Sequence, residues 1–495
     1  MNGADWIVVG GGSAGCVVAS RLANAADPQL GRIVLIEPPS TLAPPVDRER
    51  PANWLKLLGS SEDWNLGTSE NAALAKRVLR WPRGRGLGGS SRINAMIWFP
   101  PTISDLQNLI DASGNAWSLS ELQQELENLT ELVRPEQPTW QSESADRFLE
   151  AVSSSHHGTA WPYLRLNRSG RRWNPAELLT PALTNDRIEI QRATVNRLVH
   201  QGDRVIGVEI WNEYGTNQVL ANKGVILCAG AIATPGILMR SGIGNREQLQ
   251  QHNIDVRIES DQVGQGLQDH LIMPVVFQVK SKPFPSQPSV RDIARWQTMG
   301  TGPLTSNLAE CGGLFLDDSV QLHVTPTHYL TYPTPTDHAF MTIGVNASQP
   351  LSAGILELQS KDPRVPLLIH PNYLGHGSDR ETTIRGIRLA RQLVTETSLS
   401  KWIVSEKLPG KKRHSDEDLG RAISRYTQTL YHPAGTLQFG ASQSCVVSPG
   451  FAIRGLQQAW IVDASVLPGL THGNPNATIM LLALQAAKKI IEQTT

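Results

Sequence analysis

Cysteine is scarce and scattered in this 495-residue chain: Cys16, Cys228, Cys311 and Cys445 form no C-x-x-C pair. That spacing argues against a metal site and against a disulfide framework. It makes a reducing compartment the expected one, with each thiol a small buried hydrophobe. Net charge is missing too. Lys plus Arg and Asp plus Glu number 45 each, with no basic block, so nothing invites a nucleic acid. Long hydrophobic runs are also absent. No stretch reaches the roughly 20 apolar residues that span a membrane, and Ile479–Leu484 is far too short. Met1 to Asp5 carry no basic segment, so no secretory signal is expected. With 40% apolar and 18% charged residues, the chain reads as a soluble globular protein expected in the cytoplasm. Its length suits two or three units of roughly 100–200 residues.

What the chain does have is glycine in informative places. Trp6-Ile-Val-Val9 reads as a buried strand and ends in Gly10-Gly-Gly-Ser-Ala-Gly15. An Ala-rich stretch from Cys16 to Ala25 reads as a helix, and Arg32-Ile-Val-Leu-Ile36 as a second strand ending at Glu37. Gly10, Gly12 and Gly15 make a G-x-G-x-x-G. The first permits the tight turn, the second lets the backbone approach a pyrophosphate, and the third allows close helix–strand packing. Ser13 and Ala14 complete the turn at the helix start. Glu37 lies 22 positions after Gly15, where an acid accepts hydrogen bonds from ribose hydroxyls and disfavours a 2′-phosphate. The pattern predicts a dinucleotide site and leaves NAD and FAD both open.

Farther along, residues 38–80 look irregular and 118–134 carry helical periodicity (Leu119, Leu122, Leu126, Leu129, Leu132). The stretch 135–185 is polar and punctuated by Pro and Trp, without a clear element. Ile188–Ile190, Arg204–Ile210 and Val225–Leu227 read as strands, and the Pro/Ser-rich 280–300 as a boundary. Runs at Gln321–Val324, Phe340–Val345 and Ile355–Gln359 suggest an antiparallel sheet. From Tyr431 onward loops lead into one terminal helix.

Two long motifs then favour FAD. Gly84-Arg-Gly-Leu-Gly-Gly-Ser-Ser-Arg-Ile-Asn94 and Gly230-Ala-Ile-Ala-Thr-Pro-Gly-Ile-Leu-Met-Arg-Ser-Gly-Ile-Gly244 resemble signatures of the glucose–methanol–choline (GMC) oxidoreductase family. Gly114-Asn-Ala-Trp-Ser118, Val263-Gly-Gln-Gly-Leu-Gln-Asp-His270 and Asp463-Ala-Ser465 are shorter echoes. The resemblance implies an α/β FAD-binding domain of Rossmann-like GMC type, with an α+β substrate domain built on an antiparallel sheet. It implies flavin contacts from Arg85, Gly88, Gly89, Ser90, Asn94, Ala95 and Met96, and from Ala229 and Gly230. Val195 would meet the adenine, and Asp463 and Ala464 the ribityl–pyrophosphate region. Some relatives attach FAD through a histidine where this chain has Arg92, so a non-covalent flavin is expected.

Tyr431-His-Pro-Ala-Gly-Thr436 resembles the family's active-site loop. Pro433 biases His432 toward an extended backbone, and histidine titrates near the working pH of a general base. Thr471-His-Gly-Asn-Pro-Asn-Ala-Thr478 precedes the terminal helix, with Asn474 suited to its cap, Pro475 to its first turn, and Lys488 and Lys489 to its negative end. By resemblance, Asn474 is the second active-site residue, and Pro475 and Thr478 face the flavin. The expected reaction is oxidation of a small-molecule alcohol to its carbonyl, with electrons passing on to oxygen, a quinone or another acceptor. Tyr431, His472 and Glu310, the last matching an acid that faces substrate in some relatives, are candidate substrate contacts.

The resemblance implies a division into residues 1–120, 186–280 and 426–495 for the FAD part, 121–185 as a shortened lid, and 281–425 as the substrate domain. The shortening, mainly in 135–185, leaves a more open site or one completed by another subunit. Two other functions fit the same motifs: a flavoprotein lyase of hydroxynitrile type, and a flavin-binding protein without catalysis.

Overall fold

The computed structural model describes residues 4–25, 30–40, 46–285, 287–332, 334 and 337–494. Two seven-stranded sheets organise it. In the first, Ala4–Val9 lies between Ile33–Glu37 and Gly215–Leu227, parallel to both. Ile188–Arg192 adds to the Ile33–Glu37 side, and Ala459–Ile461 pairs with the end of Gly215–Leu227, again in parallel. The same long strand continues into an antiparallel ribbon with Arg204–Asn212 and Thr194–Gln201. The sheet is therefore mixed. Its parallel centre is buried on both faces, which is why Trp6-Ile-Val-Val9 runs apolar without alternation.

Helices Ser13–Asn24 and Asn476–Thr494 pack on each other against this sheet. The chain's two ends thus meet in space. Lys488 and Lys489 sit within the last helix rather than at its end, and they pair with Glu121 and Glu125 of helix Leu119–Val133.

The second sheet is antiparallel, in the order Ile403–Leu408, Leu271–Val279, Ala339–Ala347, Val320–Thr325, Cys311–Phe315 and Gly158–Pro162. Gln428–Thr429 pairs with the start of Leu271–Val279. Helix Gly377–Glu396 lies across it at close range: a Cβ on Gly386 would come within 2.3 Å of Val345. The Ile355–Gln359 run belongs elsewhere; Gly354–Glu357 joins a separate three-stranded sheet.

Two stretches without a sequence signal prove structured. Residues 143–153 form a helix capped by Ser142 that buries Ala145, Phe148, Ala151 and Val152. Most of that buried face is alanine and valine, too small to stand out as a hydrophobic stripe. In the expected boundary at 280–300, Val290–Met299 is a helix set by the Ser289–Asp292 capping box, with only Trp296 buried. Among the described residues no helix is long and apolar enough to cross a membrane. Cys16, Cys228 and Cys311 are buried as expected, and Cys445 only half so.

Candidate active site

Loops at the carboxyl ends of the parallel strands converge on one edge of the mixed sheet, where open α/β sheets bind ligands. Gly10 follows Val9, Glu37 closes its strand, Cys228 and Ala229 follow Leu227, and Asp463 lies two residues past Ile461. Gly10 has φ +97° and its carbonyl packs against residue 15: a Cβ on Gly15 would sit 1.9 Å from it. Around Gly12 the nearest atom to a Cβ would be Gly89 Cα at 4.0 Å. The second glycine loop is bound to the first by the Gly88 N–H, which donates to the Gly11 carbonyl at 2.6 Å. Helix Ser13–Asn24 has no side-chain cap, so its first N–H groups remain available to an anion.

Glu37 fastens the two loops. Its carboxylate accepts the Gly11 N–H at 2.7 Å and the Gly86 N–H at 3.0 Å. Burial pushes its pKa up despite these bonds. Each oxygen keeps a lone pair for a ribose hydroxyl. The Asp463 carboxylate, in contrast, is filled from within the protein: Gly230 N–H, Thr234 Oγ1, and Ser465 N–H and Oγ all donate to it. It shapes the Ala229–Gly230 turn and leaves only backbone here, with Ala464, to meet a cofactor. Arg85 stacks on Trp64 at 4.6 Å and donates to the Pro39 carbonyl. Val195 lies on the Thr194–Gln201 strand, and the preceding Ala193 N–H donates to the Glu37 carbonyl.

A cleft of about 1230 Å³, open mouth included, runs between the two sheets. Ser90, Asn94, Ala95, Met96, Ala464 and Pro475 are among the residues that line it. The Asn94 side chain accepts from the Met96 N–H and from Arg172. Arg172 had no sequence signal. It lies in the 135–185 stretch, fully buried, and also donates to the Ser91 and Asn94 carbonyls. Burial, with Arg48 and Arg92 nearby, pulls its pKa down to about 9.

The histidine loop is a bulge. Ile272 pairs with Gln428 and Leu271 with Thr429, but Gln268 then pairs with Ala434. Residues 430–433 thus face only 269 and 270, and the excess pushes Tyr431 (φ +67°) and His432 into the cleft. Asp269 anchors the bulge, accepting the His432 N–H at 2.6 Å and the Thr429 hydroxyl at 2.6 Å. His432 Nε2 meets Asn474 Nδ2 at 3.1 Å, and His432 Nδ1 meets His270 Nδ1 at 3.0 Å. His270 Nε2 in turn lies 2.7 Å from the Ser348 carbonyl. A carbonyl only accepts, so His270 carries its proton on Nε2 and its Nδ1 is a lone pair. His432 must then donate from Nδ1, which leaves Nε2 as a free base toward Asn474. Burial, then repulsion from His270, His323 and Arg83, holds His432 well below the usual histidine range, so the ring is neutral.

Asn474 is not the helix cap. The last helix begins at Asn476, and the Pro475 carbonyl accepts its first bond from the Ile479 N–H. The Asn474 side chain is thereby free to turn into the cleft. Its Oδ1, Asn476 Nδ2 and Thr478 Oγ1 are buried without a protein partner. Three unpaired polar atoms around one helix start are costly unless a ligand meets them, and they suit the polar edge of a flavin. Asn476 Oδ1 also accepts from Ser13, joining the first glycine loop to this helix.

Two expected substrate contacts face elsewhere. His472 Nδ1 is 2.8 Å from Asp105, an ion pair that raises the histidine pKa, and it is not part of the cleft wall. Glu310 is fully buried behind the wall; Ser142 N–H, Ser142 Oγ and Ser306 Oγ all donate to it. Tyr431 does line the cleft.

Comparison with known proteins identifies the family. Family models for the N-terminal and C-terminal parts of GMC oxidoreductases match residues 4–272 and 350–483. An "Alcohol dehydrogenase [acceptor]" of Pseudomonas putida is 30% identical over 99% of this chain and 96% of its own. The mitochondrial choline dehydrogenase of Homo sapiens is 28% identical over 98% and 89%. The crystal structure of pyridoxine 4-oxidase from Mesorbium loti superposes with a TM-score of 0.86 at 27% identity, covering 98% of each chain. This chain belongs to the GMC oxidoreductase family and is an FAD-binding oxidoreductase that acts on CH–OH groups.

Proposed function

We propose that the protein oxidises a primary or secondary alcohol to the carbonyl by hydride transfer to a non-covalently held FAD, with His432 as general base and Asn474 as its partner. The observation that carries this reading is the His432 Nε2–Asn474 Nδ2 contact of 3.1 Å in the cleft. The substrate O–H takes over the lone pair at Nε2. Asn474 Nδ2 then donates to the same oxygen while the proton moves to His432. The neutral state of His432, maintained by burial and its neighbours, keeps that lone pair available. Bound FAD supplies the hydride acceptor. Arg92 supports non-covalent attachment: it occupies the position of the attaching histidine, and its guanidinium is held by Glu62 and the Leu87 carbonyl.

The test is anaerobic mixing of the yellow holoprotein with a panel of primary and secondary alcohols. Bleaching of the flavin with stoichiometric carbonyl product is the expected result. Carbon–carbon cleavage of a hydroxynitrile without bleaching would overturn it in favour of a lyase.

A further inference from the structure

Much of the cleft that holds the His432–Asn474 pair is apolar. Leu58, Ile97, Ile272 and Leu308 supply it, with Thr325 and Tyr329 as its polar edges. Among the described residues no aspartate or glutamate lines the cleft. The acid that the sequence offers for this role, Glu310, stands one residue past the wall residue Ala309, but its carboxylate turns away to Ser142 and Ser306. The charged side chain that does line the cleft is a cation, Arg83, held by the Tyr431 carbonyl. Its counter-charges lie behind the wall. Asp63 is occupied by the N–H groups of Gly59, Asn65 and Arg83, and Asp269 by His432, Thr429 and Tyr373.

Resting on the alcohol-oxidation reading, we infer that the substrate is an uncharged alcohol with an apolar body, and that the site selects against cationic alcohols such as choline. A quaternary ammonium entering this cleft would lose its water without gaining a carboxylate from the wall. Burying a charge without a partner is strongly unfavourable. A face of Trp54, Tyr329 or Tyr431 returns about 0.5–2 kcal/mol to a cation, less than the several kcal/mol that burying an unpaired ion costs. An anion gains little either, because Asp63 and Asp269 already balance Arg83. An apolar body loses only water that it releases favourably.

Choline and 3,3-dimethylbutan-1-ol have nearly the same shape and differ by one charge, which makes them the test pair. Binding is read from the flavin absorbance of FAD-loaded His432→Ala protein, and reduction from anaerobic stopped flow of the unaltered holoprotein. The neutral alcohol is expected to bind at least a hundredfold more tightly and to show a reduction efficiency higher by at least the same factor. Thr325→Asp, which places a carboxylate on the wall, is expected to narrow the gap at least tenfold. Equal or tighter binding of choline would overturn the inference, as would failure of both compounds to bind. Tight binding of the neutral alcohol without flavin reduction in the unaltered protein would sink the alcohol-oxidation reading while leaving the charge preference standing.

Discussion

In the mixed sheet, Gly10, Glu37, Ala229 and Asp463 occupy equivalent places, at or just past the carboxyl end of a parallel strand. In the antiparallel sheet, His323 lies inside a strand and His270 just ahead of one, and what they do depends on register. The first region works through backbone: close approach, open N–H groups, loops pressed together. The second works through side chains whose protons are ordered one after another, from the Ser348 carbonyl to His270 to His432. Damage to the first should therefore remove the cofactor, and damage to the second should spare it while slowing the chemistry.

The largest expected effect tests the backbone side. Gly15→Ala drives a Cβ to 1.9 Å from the Gly10 carbonyl, so the purified variant should carry no flavin by absorbance; a yellow variant with normal stoichiometry would break the contrast. Next is His432→Ala, for which flavin reduction should fall by about 10²–10⁴-fold with the cofactor retained. His270→Ala should follow at about tenfold to a hundredfold in the reduction rate, with little change in substrate binding. Its diagnostic is the pH profile. In the unaltered protein His432 titrates well below 6.5, so it stays deprotonated, and reduction should be flat from about pH 6.5 to 9. Removing His270 removes one source of that depression. The His432 pKa then rises, and the rate should begin to fall as pH drops through the neutral range. His270→Asn, which restores an acceptor near the Nδ1 position, should recover much of the rate. A flat profile in His270→Ala would reduce His270 to packing. The smallest functional effect belongs to Glu310→Gln. It should cost about 1–3 kcal/mol in urea unfolding, yet leave the preference between choline and its neutral isostere unchanged.

The same contrast explains what could be read from the sequence. The need for Gly10 and Gly15 is local steric fact, while the space beside Gly12 is open, and Glu37 follows at a characteristic spacing, so the cofactor half was legible from a few residues. Asn474 was legible as a site residue by resemblance, but its fit to a cap failed because the helix starts two residues later. Glu310 was visible as an acid, whereas its direction depends on Ser142, 168 positions away. His270 appeared only as the last letter of a weak motif. Its role depends on a contact 162 positions distant and on a bulge that hydrophobic patterning does not reveal. Arg172 was hidden for a similar reason: its hydrogen bonds end on carbonyls of the flavin loop, about 80 residues earlier.

The hydrogen bond between Ser13 and Asn476, with the packing of the first helix on the last, also sets a timetable. A ribosome making about 5–20 residues per second takes roughly half a minute to a minute and a half to pass from one to the other. For that interval the nascent chain holds half of a nucleotide cradle, with one side of its central strands uncovered. Flavin loading thereby waits for helix Asn476–Thr494 to emerge.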